Sequence, residues 1–170
     1  NWQTPSRSAN LRVSIPYLLL YVKEYLSLSV EMTEDIASDL ARELKKGDFV
    51  AMYGDLGVGK TAFVRGLARG LGLQAEVSSP TFALVNEYPA KPRSLFHFDM
   101  YRIDGWDDLC TTGFFEYLED DAVLAVEWSE NIENALPEDK LIKIEILRGE
   151  NDDCRILRMS GDSVYEDSWR

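Results

Sequence analysis

Gly54-Asp55-Leu56-Gly57-Val58-Gly59-Lys60-Thr61 constrains this chain more than any other stretch. The octapeptide satisfies G-x-x-x-x-G-K-[ST] at every fixed position. Such a loop joins a buried strand to a helix, so it dictates local architecture as well as chemistry. Its glycines open backbone conformations closed to other residues, and several N–H groups then point inward at a phosphate. The following helix adds partial positive charge at its N-terminus. Lys60 is placed to reach β- and γ-phosphates, and the Thr61 hydroxyl to join the shell of a Mg²⁺.

The flanks agree with the loop. Phe49-Val50-Ala51-Met52-Tyr53 is a short apolar run of the kind a buried parallel strand shows. Beyond the lysine, Val64, Leu67, Ala68 and Leu71 recur at helical spacing, and Gly70 and Gly72 signal a stop.

At 170 residues the chain is long enough for one domain with a real core. Its formal charge of −12 argues against a broad nucleic-acid footprint, because phosphate backbones are bound by clustered Lys and Arg. The surplus acid suits a solvated surface or a basic protein partner. Cys110 and Cys154 lie far apart and lack metal-ligand spacing. They read as small apolar fillers in a reducing cytoplasm. Ile15 to Val22 is apolar, with Arg7 and Arg12 before it, but is too short to span a bilayer and lacks a small-residue cleavage site. Residues 1–24 are taken as an extension or an early strand.

Thr33 to Lys46 has helical periodicity, with Thr33 as its cap, Ile36, Ala37, Leu40, Ala41 and Leu44 as its apolar stripe, and Gly47 as its end. Ser78 to Thr81 carries turn chemistry. Phe82 to Tyr88 and Ser94 to Phe98 read as strands, and Asp104 to Leu118 as short helices. Val123 to Val126 is a second buried-strand run. Leu141 to Ile146 and Ile156 to Met159 flank a turn at Gly149 to Asp153, which predicts an antiparallel hairpin. The expected fold is α/β, a P-loop NTPase-like three-layer arrangement with a mixed central sheet and that C-terminal hairpin. Residues 25–160 form its domain, and residues 161–170 are a tail expected to be disordered.

A phosphate loop needs an acidic partner for its metal, usually at the end of a neighbouring strand. Asp99 follows Leu95-Phe96-His97-Phe98, and Glu127 follows Val123-Leu124-Ala125-Val126. One would help hold Mg²⁺ while the other orients water. Either is also compatible with a strand-end carboxylate facing solvent. His97, the single histidine, lies opposite Phe96 and Phe98 by strand alternation and is more often packed than catalytic in such a setting. Arg102 suits a structural salt bridge better than an arginine finger. Trp128 lines a nucleotide or partner surface, or packs in the core. No Asn-Lys-x-Asp quartet is present, which favours ATP over GTP.

Taken together, the phosphate loop, Ser79-Pro80-Thr81-Phe82, His97-Phe98-Asp99-Met100-Tyr101-Arg102 and Glu127-Trp128 resemble the TsaE (YjeE) family over about residues 28 to 160. These are small bacterial ATPases needed for threonylcarbamoyladenosine in tRNA. The resemblance implies that Gly57, Val58, Gly59, Lys60, Thr61 and Ala62 wrap the phosphates of ATP. It implies Thr61 and Glu127 as Mg²⁺ ligands, and Lys60, Asp99 and Glu127 as the catalytic set. Ser79-Pro80-Thr81 would act as a switch loop, and Ser29 and Thr33 would approach the base. Thr81 and Trp128 join the nucleotide site by the same likeness. TsaB and TsaD are the implied partners, with tRNA engaged only indirectly. Two departures stand out: Ala62 replaces a usual threonine, and Glu150-Asn151-Asp152-Asp153 replaces a usual Gly-Arg pair in the hairpin turn. A small-molecule kinase on the same loop, or a non-catalytic ATP-dependent docking switch, are the alternatives.

Overall fold

Strand patterning separates the sheet into two kinds of territory. β2 (Phe49–Tyr53) and β5 (Val123–Glu127) are continuous buried runs, as strands covered on both faces must be. β6 (Leu141–Arg148) alternates buried and half-buried positions, which marks a strand with one face open. In the computed structural model, which describes residues 21–161, these strands join β1 (Tyr21–Ser27), β3 (Val85–Tyr88), β4 (Leu95–Asp99) and β7 (Arg155–Gly161). The order is β1-β7-β6-β2-β5-β4-β3. β2 runs parallel to β5 and β6, and β4 parallel to β5. β3, β7 and β1 pair antiparallel, so the sheet is mixed.

α1 (Val30–Glu43) and α2 (Lys60–Gly70) pack on one face, closing a core of Val50, Met52, Ile142, Ile144, Phe63 and Leu67. α3 (Trp106–Cys110), α4 (Phe114–Tyr117) and a 3₁₀ turn over Ser129–Ala135 cover the other face around Phe49, Phe98, Phe114 and Leu124. The expected three-layer arrangement with its C-terminal hairpin is therefore present. Gly66 and Gly70 let α1 and α2 approach closely. A Cβ would stand 2.2 Å from the Glu34 carbonyl oxygen at Gly66 and 2.3 Å from that of Ser38 at Gly70. The helix stop expected at Gly70 and Gly72 is observed, but Gly70 also serves this contact.

Several local expectations are corrected. α1 starts at Val30 with Ser29, not Thr33, as its cap: the Ser29 Oγ accepts from the Met32 N–H at 3.0 Å. Thr33 is buried within the helix and shares a hydrogen bond with Ser27. α1 ends at Glu43, because Leu44 turns to extended backbone, leaving Lys45 and Lys46 outside. Residues 81–84 turn rather than extend, with Leu84 at φ +70°, so β3 begins only at Val85. Cys154 is a buried filler, whereas Cys110 is exposed. Of the extension, residues 1–20 lie outside the described residues, as do 162–170 of the tail. Residues 21–24 belong to β1, whose partner is β7.

Candidate active site

The phosphate loop leaves β2 at Gly54 and enters α2 at Lys60. Gly54 lies at φ +140°, and a Cβ there would meet the Ile146 carbonyl oxygen at 2.5 Å, so no side chain fits beside β6. Gly59 takes φ +114° at the N-cap of α2. The helix therefore begins without a side-chain cap. Its first N–H groups have no intrahelical acceptor and are available to an anion.

Lys60 is buried, with only 4 % of the residue accessible. Its Nζ donates to the carbonyls of Gly54 and Asp55, at 2.5 and 2.9 Å, and lies 4.0 Å from the centre of the Trp128 ring. Burial lowers its pKa below the ordinary lysine value, against the opposing pull of Glu127, Glu130, Asp99 and Asp55. The ammonium thus rests on loop carbonyls that an incoming phosphate would replace.

Strand register brings the two expected carboxylates side by side. Asp99 pairs with Glu127 across β4 and β5, and both project with Leu95, Val123 and Ala125 toward the α2 side. Glu127 Oε1 accepts from the Thr61 hydroxyl at 2.9 Å and contacts His97 Nε2 at 2.8 Å. Asp99 Oδ2 accepts from Ser79 and Thr81 at 2.7 and 2.8 Å, and its Oδ1 from the Tyr101 N–H at 2.9 Å. Neither carboxylate simply faces solvent.

A cleft of about 480 Å³ gathers most of the residues expected from sequence: Gly57, Gly59, Lys60, Thr61, Ala62, Thr81, Asp99, Glu127 and Trp128 all line it. A groove of about 190 Å³ continues from it past Gly57, Gly59 and Ala62, and adds Val58, Ser29 and Thr33. Trp128, at φ +58°, is both a cleft wall and packed on the second core cluster, with Tyr101 at 4.9 Å between ring centres. Arg102 is not part of the cleft. Its guanidinium stacks 4.5 Å from the Phe82 ring and pairs with no carboxylate among the described residues, where a salt bridge was expected.

Sequence reading missed the hairpin's hold on the loop. Arg155 Nε donates to the Val58 carbonyl at 2.6 Å, and Arg148 Nη2 to that of Leu56 at 3.3 Å. The two arginines bracket the turn that carries no arginine of its own, and Asp152 and Asp153 face the smaller groove. Only an arginine on each side of a predicted turn signalled this. Nothing in the chain tied either to a loop some ninety residues earlier.

The donor set suits Mg²⁺. It offers one hydroxyl and one carboxylate beside a phosphate-binding helix end, and magnesium prefers one or two such protein oxygens with phosphate and water. Among the described residues, no group of three or more His, Cys, Asp or Glu gathers into a dedicated cage.

Comparison with known proteins places these features in a lineage. A family model described as "Threonylcarbamoyl adenosine biosynthesis protein TsaE" matches residues 27–157. A Bacillus subtilis protein named tRNA threonylcarbamoyladenosine biosynthesis protein TsaE is 37 % identical over 143 residues, covering 84 % of this chain and 89 % of that protein. The Haemophilus influenzae protein of the same name is 38 % identical over 116 residues, covering 68 % and 71 %. The crystal structure of Bacillus subtilis YdiB superposes with a TM-score of 0.75 at 31 % identity, over 90 % of this chain and 94 % of that one. With a family model matched over most of its length and relatives of 37–38 % identity, the chain belongs to the TsaE family.

Proposed function

We propose that this chain is a Mg²⁺-dependent ATPase serving threonylcarbamoyladenosine formation on tRNA, acting in the cytoplasm with TsaB and TsaD. One observation carries the reading: a phosphate loop whose Thr61 hydroxyl bonds directly to Glu127, with Asp99 on the adjacent strand end. The names of the relatives supply the pathway.

In this reading the N–H groups at the start of α2 receive the phosphates, and the Lys60 ammonium leaves the Gly54 and Asp55 carbonyls to meet them. Thr61 and Glu127 supply the protein oxygens for Mg²⁺, which when bound neutralises charge on the phosphates. Asp99 takes the position beside the γ-phosphate, where it orients the attacking water. Ser79 and Thr81 tie Asp99 to the 78–84 turn, so that turn senses what occupies the cleft. Ser29 and Thr33 lie along the groove that would take ribose and base. The cleft contains no arginine finger. Among the described residues Arg65 is the one arginine that lines it, and it pairs with Glu34. A site without such a finger idles until a partner orders it, since fingers contribute about a thousandfold or more. The acidic surface favours docking to protein, with tRNA met only through the partners.

Phosphate release from ATP tests the proposal, with and without Mg²⁺, TsaB–TsaD and tRNA. Slow Mg²⁺-dependent hydrolysis that rises with TsaB–TsaD is expected, and tRNA alone should leave it unchanged. Lys60→Ala should lose ATP binding by calorimetry while remaining folded, with some fall in melting temperature because a buried side chain bonded to two carbonyls is removed. Unchanged ATP affinity in that folded variant would refute the assigned site.

A further inference from the structure

His97 is buried at 0 % exposure in β4, between Phe96 and Phe98 in sequence. Its Nε2 meets Glu127 Oε1 at 2.8 Å, whereas its Nδ1 is the one buried side-chain polar atom without a partner among the described residues. Burying a polar ring with half its hydrogen-bonding capacity unmet is costly, and an apolar side chain would pack there more cheaply. An orphaned buried polar atom in an otherwise satisfied core calls for a functional cause.

We infer that His97 is a positioning residue that holds the Glu127 carboxylate in the orientation needed to receive Mg²⁺. The inference rests on the assignment of Glu127 as a metal ligand. The geometry is specific. His97 pairs with Ala125 in the β4–β5 register, two residues before Glu127 and on the same face, so its ring runs alongside that carboxylate. Glu127 Oε1 takes two hydrogen bonds, from Thr61 and from His97. Thr61 is itself a metal ligand in the proposed site, so its hydroxyl serves the metal through an oxygen lone pair and Glu127 through its hydrogen. His97 has no such second duty, and its donor stays fixed on the neighbouring strand. A carboxylate offers Nε2 only an acceptor, so Nε2 carries a hydrogen. Outer partners of this kind, fixing a ligand's orientation, are worth about tenfold to a hundredfold in metal affinity.

Two measurements on the full chain test this. His97 is the single histidine, so one imidazole ¹⁵N pattern reports on it alone. The Nε2–H tautomer is expected in the free protein, with the Nε2 resonance shifting when Mg²⁺ and ADP are added together. A hydrogen on Nδ1 in place of Nε2 overturns the assignment, and this readout stands even if a variant fails to fold. The second measurement is the factor by which Mg²⁺ tightens ADP binding in calorimetry. His97→Phe should stay folded, since the gain from removing the unpaired Nδ1 offsets part of the lost bond to Glu127, yet lose about tenfold of that factor. His97→Gln, whose amide nitrogen replaces Nε2, should recover most of it. A folded His97→Phe that keeps the full factor overturns the role. If the wild-type protein itself shows no Mg²⁺ dependence, the proposed function falls along with it. Dependence present in wild type and undiminished in His97→Phe removes only the positioning role.

Discussion

Asp99 and Glu127 stand at the ends of neighbouring parallel strands, in register and almost equally buried, yet they are held by different kinds of structure. Glu127 is gripped by half-buried Thr61 in the first turn of α2 and by fully buried His97 in β4. Asp99 is gripped by Ser79 and Thr81, which belong to a surface turn, and by the Tyr101 N–H just beyond it. The first carboxylate is fixed by elements that move only if the core moves. The second reports the conformation of a turn that includes exposed Phe82 and the strained Leu84. Identical position in a sheet therefore does not imply identical support. Support from core elements suits the proposed metal ligand, which needs constant geometry, and support from a surface turn suits the proposed water-orienting role.

Glu127→Gln breaks the rigid half and should have the largest effect. Mg²⁺-dependent hydrolysis should fall about a hundredfold or more, the scale of losing a preorganised electrostatic contact. A Mg²⁺ titration of turnover checks it, and a wild-type metal profile would transfer the role to Asp99. Asp99→Asn should lower turnover by tens of fold while leaving Mg·ADP affinity nearly unchanged, because in the proposed mechanism Asp99 orients water and does not hold the metal. Single-turnover hydrolysis beside calorimetry separates the two, and parallel losses in both would erase the contrast between the carboxylates. Thr81→Ala removes one of two donors to Asp99 Oδ2. A hydrogen bond to a charged group is worth about 1.5–3 kcal/mol, and Ser79 retains its share, so turnover should fall about fivefold. Amide exchange in residues 78–84 should speed up in the same variant while that of β5 does not. Equal changes in both regions would show that the turn and the strand move together.

The smallest effect concerns Lys60. Its pKa in the free protein is lowered by burial, and contact with phosphate favours the charged form, so binding takes up a proton. Affinity for ADP is thus full at lower pH and is lost as pH rises through the lowered value, before the ordinary lysine value of 10.5 is reached. The loss should be less than about tenfold per pH unit. Calorimetry from neutral to alkaline pH measures it, and a flat profile there would mean that the ammonium does not carry the phosphate contact. The same shift makes the fold more stable with rising pH in that window, because the unfolded chain then binds more protons at this lysine.

Local chemistry was legible in the chain itself. β2 falls where the apolar run 49–53 places it, and the loop enters a helix at Lys60 as its fixed positions require. Glu127 closes β5 as the pattern of four apolar residues and an acid suggests. These features depend on residues a few positions apart, so a short window contains their cause. The cap of α1 was misplaced for a related reason: Ser29 and Thr33 are both good caps, and only the Ser27–Thr33 bond, made by folding β1 back beside the helix, draws Thr33 into the interior. The turn at 81–84 defeated its strand-like composition because Asp99 draws in Ser79 and Thr81 from the far end of β4.

What the sequence determined alone, then, is the loop, the strand and helix that flank it, and the residue types available for phosphate and metal, because each follows from local sterics and spacing. The tertiary structure decided which of those residues meet. Parallel pairing of β4 with β5 sets Asp99 beside Glu127 and turns His97, otherwise a core histidine, onto the carboxylate. Hairpin closure carries Arg148 and Arg155 to the loop's carbonyls, and Gly66 and Gly70 admit α1 close enough to seat the helix that bears Thr61. Such contacts join segments separated by tens of residues, and their energy depends on packing and register that no local pattern encodes.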